Sequence, residues 1–177
     1  MANTNAPYGF RLWSRGNAGT GAAPLTPGAA AGGTLASSGP LPVASATTLS
    51  VGDPIKSSAG LGYLATGTNA IYGIVNSPVP NFNETATAKH YPEIIPADDT
   101  TYWRTQSIGT VNVTQGYIGV ASKVYRIGAT TSGHLGIDLS HTTGGVLGVV
   151  GLAPGSALST YAELIVVIRR GAFFGAA

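Results

Sequence analysis

Cysteine is absent from the 177 residues. That excludes disulfide frameworks, thiolate nucleophiles and Cys-based zinc sites together, and it leaves the redox compartment open. Charge is scarce too: charged residues make up 9% of the chain, against about 25% in a typical globular protein. Nine Lys and Arg face seven Asp and Glu, a formal net charge of +2. The pI near 9.0 therefore rests on a small excess, which does not argue for direct contact with nucleic acid or with an anionic membrane. So few charges beside 44% hydrophobic residues point to a surface partly covered by something else, since a free monomer needs more charge to stay dissolved. Long hydrophobic runs are missing as well. VLGVVGLA falls far short of the roughly 20 residues of a membrane span. The opening MANTNAPYGF lacks the basic stretch and apolar run of a secretory leader. The expectation is a soluble, unexported chain.

What is present begins with a bias. Between Arg15 and Asp53 there is no charged residue, and Gly, Ala, Pro, Ser and Thr dominate. Residues 17–40, NAGTGAAPLTPGAAAGGTLASSGP, hold no aromatic, and their only large apolar side chains are Leu25 and Leu35. Such a stretch cannot build a core, and on composition alone it reads as a linker. It follows YGFRLW, however, whose Tyr8, Phe10 and Trp13 need a surface to bury against. An aromatic anchor, a pliable segment and a folded body together describe an extended N-terminal arm over residues 1–42 and a body over 43–177. Fully extended, 24 residues reach at most about 80 Å, enough to cross a neighbouring subunit.

From Val43 onward the pattern is that of β-structure. VGDPIKSS places a turn at Asp53-Pro54 before a strand. LGYLA (61–65) and AIYGIV (70–75) are short and rich in strand formers, with the turn cluster TGTN between them. HYPEII (90–95), the turn PADD and YWRTQS (102–107) follow. HLGIDLS alternates, with Leu135, Ile137 and Leu139 on one face, as in a half-buried strand. HTTGG turns into VLGVVGLA (146–153), and YAELIVVIRR is apolar on both faces from Leu164 to Ile168, which marks a central or doubly covered strand. Helix signals are weak. Tyr117, Val120, Ala121, Val124 and Tyr125 have roughly helical spacing behind a capping Thr114, but Gly116 and Gly119 interrupt them. The predicted fold is all-β, a compact barrel or sandwich of short antiparallel strands.

Residues that carry chemistry are hard to find. His90, His134 and His141 do not match a metal-ligand spacing. Asp98-Asp99 is the only acidic pair, and after Pro96 it marks a turn; adjacent side chains on a strand would face opposite ways. No serine sits in a G-x-S-x-G elbow, and neither GNAGTG nor GLGYLATG matches a phosphate-binding loop. Arg169-Arg170, the only basic doublet, suits a solvated strand end or an acidic neighbour better than nucleic acid. Two glycosylation sequons, at Asn83 and Asn112, carry little meaning without a secretory leader. The residues point to no enzyme, cofactor or metal. Tyr102 and Trp103 are adjacent and so face opposite ways, which counts against the flat aromatic platform of a carbohydrate-binding or adhesive module.

Several fragments, in order, carry a resemblance. MANTNAPYGFRLW resembles the Met-Ala-Asn lead and aromatic-Gly turn that open the head decoration (cement) proteins of tailed bacteriophages. VGDPIK resembles that family's Gly-Asp-Pro strand entry, and AIYGIVN its next strand. IIPADDTTYWRTQ resembles its Asp-Asp turn and aromatic strand. VTQGYIG, GHLGIDLS and VVGLAPGSALSTYAELIVVIRRGAF resemble its later turn, alternating strand and apolar C-terminal strand. The fragments run collinearly over nearly the whole chain, and that order carries most of the weight. Residues 17–40 are longer than usual for the family, charge is sparser, and Arg169-Arg170 stand where relatives often have a polar-acidic pair.

The resemblance implies a non-enzymatic virion protein. It would be made in the host cytoplasm and bound to the outer surface of a capsid of HK97-type major capsid protein, where it clamps neighbouring capsomers. It further implies self-association, with a trimer preferred and a dimer as the alternative. The contact residues expected on this basis are Tyr8, Phe10, Arg11, Trp13, Leu25, Leu35, Arg169 and Arg170.

Overall fold

A computed structural model describes residue 3 and residues 8–15, 41–43, 48–76, 92–97, 100–130 and 133–169. Ten strands follow in chain order: β1 (Arg11–Arg15), β2 (Pro54–Ser58), β3 (Leu61–Leu64), β4 (Gly73–Val75), β5 (Ile94–Pro96), β6 (Thr101–Ile108), β7 (Arg126–Ala129), β8 (Leu135–Asp138), β9 (Leu147–Leu152) and β10 (Glu163–Ile168). The helical spacing around Tyr117 yields only a 3-10 turn over Gln115–Tyr117. Thr114 stands at its N-cap without a side-chain capping bond.

The strands form two sheets. The smaller runs β3-β2-β4-β5 and is antiparallel throughout. Ala59 and Gly60, both at positive φ, turn β2 into β3, the backbone that a two-residue hairpin loop demands. The larger runs β7-β8-β6-β10-β9, with β1 added beside β6. β6 is long enough to share one edge between two partners. β1 pairs with its first half and β8 with its last two residues. The β6–β8 pairing is parallel, a departure from the expected antiparallel arrangement. The sheets stack as a sandwich. The larger one curls until Tyr125, just before β7, meets Leu147 of β9 in a single bridge, but no barrel closes.

The main core lies between the sheets. Ile71, Ile74 and Ile95 of the smaller sheet's side meet Trp103, Ile137, Leu147, Leu164 and Val166 of the larger. Ile55, Val75 and Ile94 project from the other face of the smaller sheet into a second cluster, roofed by Leu41, Val43 and Leu49. Alternation of side chains across the strands produces both clusters from single apolar runs. β10 is central, hydrogen-bonded between β6 and β9; its inner face is wholly buried, and on its outer face Ile165 is buried while Val167 is half-buried, in keeping with its unbroken apolar run.

Residues 8–15 belong to this body. Phe10 is 2% exposed within the main core, and β1 is hydrogen-bonded to β6. The chain also re-enters the body before residue 43: Gly62 N–H donates to Pro42 O at 2.7 Å, and Leu41 is buried. An arm over 1–42 therefore needs correcting. Residues 8–15 and 41–42 are parts of the body, and residues 16–40 lie outside the described residues. The physical reason is the apolar content of YGFRLW, which this chain uses itself. Asn3 is held as well. Its Nδ2 donates to Ala157 O (2.9 Å) and Ser159 Oγ (2.8 Å), and its Oδ1 accepts from Ala157 N–H (3.1 Å).

One crossing joins this N-terminal segment to both sheets. Gly9 N–H donates to Leu135 O of β8 (3.2 Å), and Gly9 O accepts from the buried Thr105 hydroxyl of β6 (2.9 Å). Phe10 N–H donates to Gly52 O, and Gly52 N–H to Val75 O of the smaller sheet, each at 2.8 Å. Gly9 and Gly52 have φ of +79° and +93°. A Cβ on Gly9 would stand 2.7 Å from Gly52 O, closer than packed atoms approach. Glycine is needed twice over here, for the left-handed backbone and for the space.

Gly9→Ala should therefore cost about 2–4 kcal/mol, from strain at positive φ plus overpacking. Gly60→Ala also lies at positive φ, but nothing stands within 4 Å of the added Cβ, so about 1 kcal/mol is expected from the backbone alone. Urea denaturation midpoints check the pair, and equal costs would mean that the crossing is loose.

Candidate functional site

The register fixes which side chains share the outer face of the larger sheet. Arg11 of β1 lies opposite Arg104 of β6, and Arg104 opposite Ile165 of β10, which faces Gly151 of β9. The next outward row is Ser14, Tyr102, Val167 and Gly148. Inward neighbours Leu12, Trp103 and Val166 point into the core. Tyr102 and Val167 are half-buried. Ile165 is buried but belongs to neither core cluster. In β9 the register shifts so that Val150 is the extra residue of a bulge, and it stands 45% exposed. The outcome is an apolar strip across β6, β10 and β9 with two glycines keeping its far side low.

Arginines flank the strip. On the β1 side, the Arg11 guanidinium lies 4.1 Å over the Tyr8 ring, and Arg104 pairs with Glu163 through Nη2. Burial pushes the Tyr8 phenol above its ordinary value, against the pull of the Arg104 and Arg11 guanidiniums. The phenol stays protonated, and the Arg104 guanidinium lies within hydrogen-bonding reach of its buried oxygen. On the β9 side, Arg169 lies over Gly148, where any side chain would collide with it. It donates through Nη1 to Ala121 O at 2.6 Å.

The contact residues expected from the sequence thus separate. Tyr8, Arg11 and Trp13 come together at β1, and Arg169 lies across the same sheet. Phe10 is corrected: it is sealed inside this chain's core and offers nothing to a neighbour. Leu25, Leu35 and Arg170 lie outside the described residues, as do His90 and Asp98-Asp99. Tyr102, Arg104 and Glu163 were not expected. The alternation in YWRTQS, which sets Tyr102 and Arg104 on one face, is the signal that could have found them.

A second polar cluster lies at the end of β8. Ser140 donates to Asp138 Oδ1 from its hydroxyl (2.6 Å) and its backbone N–H (2.9 Å), and His141 Nδ1 lies 2.9 Å from Asp138 Oδ2. The three residue types are those of a hydrolytic triad, but their order is that of a capped turn. Ser140 Oγ also lies 3.0 Å from His141 Nδ1, so serine and imidazole both close onto the one carboxylate within four residues of chain. Among the described residues, no group of three or more His, Cys, Asp or Glu is placed to hold a metal, and no helix is long and apolar enough to cross a membrane.

No family model, curated protein or solved structure matches this chain.

Burial pushes the Asp138 carboxyl up, but the two Ser140 donors and His141 outweigh it and hold the group below its ordinary value. Its ionisation therefore stabilises the fold at pH above the unfolded value of about 3.9. That stabilisation is lost as pH falls through the lower folded value. Ser140→Ala should raise the folded midpoint of Asp138 in a carboxyl NMR titration and bring acid destabilisation in at higher pH. An unmoved midpoint would show that the serine hydroxyl is not what lowers it.

Proposed function

We propose that this chain is a decoration protein of a tailed-phage head, bound outside the shell of major capsid protein and clamping neighbouring capsomers. The observation that carries the proposal is the outer face of the larger sheet, an apolar strip of Tyr102, Ile165, Val167 and Val150 between arginines. Tyr and Arg beside aliphatic groups, with few other charges, is the composition of interface centres rather than of free surface. The collinear resemblance supports the same reading, as does the low overall charge.

The clamp works by preference for one state. A protein that binds only the expanded lattice stabilises that lattice by mass action. If one copy, or a trimer of copies, spans several capsomers, a lost contact re-forms at high effective concentration. A standard interface buries about 1,600 Å² in total, and part of the gain offsets the ordering of loops and side chains on binding. The rival reading, a carbohydrate-binding module, has less support, because Trp103 is wholly inside and leaves Tyr102 alone on the face.

The test is co-sedimentation with expanded and unexpanded shells of HK97-type major capsid protein from the same source as this chain. Expanded shells should retain the protein and unexpanded ones should not. Tyr102→Glu combined with Val167→Glu should weaken retention at least about tenfold, the scale of losing one or two central anchors. Equal retention by both shells, or none by either, contradicts the proposal. Truncating residues 1–40 is a poor test, because it removes β1 and Phe10 from the fold. Replacing residues 17–40 by a Gly-Ser segment of equal length probes that stretch and leaves the body complete.

A further inference from the structure

Arg11 and Arg104 are direct cross-strand partners on the outer face. Like charges in that position repel, and the sheet is stabler when a counter-charge joins them. Among the described residues one carboxylate is paired here, Glu163, and it goes to Arg104. Arg11 is exposed and makes no hydrogen bond or ion pair among the described residues; its one polar contact is the Tyr8 ring. A guanidinium stacked on an aromatic ring is already held in plane, and its edge still presents paired N–H donors. The buried Tyr8 phenol oxygen lies within hydrogen-bonding reach of the Arg104 guanidinium, so the ring that carries Arg11 is itself held against Arg104. Among the described residues the corner thus has two guanidiniums to one carboxylate, and its exposed reader, Arg11, is preorganised to take a planar anion by two parallel bonds.

We infer that Tyr8, Arg11 and Arg104 form a carboxylate-binding corner, and that its occupant is an Asp or Glu side chain on the protein surface this sheet covers. The inference deepens the preceding reading, and the choice of a protein partner rests on it. Charge complementarity selects the partner. The face carries Arg11, Arg104 and Arg169 against Glu163, so an acidic surface is favoured and a basic one excluded. The apolar strip beside the corner suits a protein surface, whereas a free anion would leave it uncovered.

The experiment uses the full chain and a blocked tetraglutamate peptide as probe, which lets it fail independently of capsid binding. Arginine Nε–H resonances are followed by NMR at low salt and neutral pH. Arg11 and Arg104 should shift saturably while Arg126 and Arg169 stay in place. Arg11→Gln, an exposed substitution that leaves the backbone spectrum intact, should abolish the Arg104 response. Arg11→Lys, which keeps the charge but loses the planar fork, should weaken the apparent affinity several-fold. No saturable shift, or equal shifts at all four arginines, would overturn the inference. Inorganic phosphate moving the same two resonances as strongly as the peptide would also overturn it, since the site would then read a phosphate group.

Discussion

The fold depends on two glycines that let two backbones touch. Gly9 and Gly52 cross at a distance no side chain permits. Through that crossing the segment before β1 bonds to β8, to β6 and to the turn that opens the smaller sheet. Without it Phe10 could not enter the main core and β1 would have nothing to hold its start. The long edge of β6 would then be paired only at its far end, by β8. The Gly67–Ile127 bridge bonds the chain after β3 to β7, and the crossing adds a second backbone link that sets the relation of the two sheets.

β6 carries the other half of the argument. It is the one strand bonded to β1, β8 and β10. Its inner row, Thr101, Trp103, Thr105 and Ser107, is wholly buried, and only Thr105 is answered, by Gly9. The Thr101 hydroxyl, Trp103 Nε1 and the Ser107 hydroxyl have no partner among the described residues. Each such group costs about 1–3 kcal/mol, which the surrounding apolar burial has to offset. The outer row of the same strand, Tyr102 and Arg104, forms the middle of the proposed contact face. One eight-residue strand therefore fixes the core, receives the N-terminal segment and presents the surface, and a change on it is felt in all three.

Much of the body was legible because its strands alternate. Leu135, Ile137 and Leu139 turn inward as their spacing implies, β10 is a central strand as its apolar run implies, and Gly-Asp-Pro opens β2. What was not legible depends on contacts distant in sequence. YGFRLW reads equally as an anchor for a neighbour or as an edge strand with a core plug, and only the surface that receives Phe10 decides. β7 was missed because RIGA is short and follows residues at helical spacing. Gly128 in it is required by Ile108 and Asp138 packed above it, which no local pattern reveals. The same holds for the parallel β6–β8 pairing. The contact face was half legible: Tyr8, Arg11, Trp13 and Arg169 were singled out, while Arg104, Ile165 and Val167 needed the register.

The sewn-in N-terminal segment is what makes the outer face one rigid surface, since β1 supplies its Arg11 edge and the crossing holds β1 in place. Native-state hydrogen exchange tests that most directly. The Phe10 and Gly52 amides, bonded across the crossing, should exchange only through global unfolding, with the same free energy as the Val166 amide in β10. Exchange of Phe10 and Gly52 by local opening, several kcal/mol below β10, would show that the segment is an appendage and contradict the account.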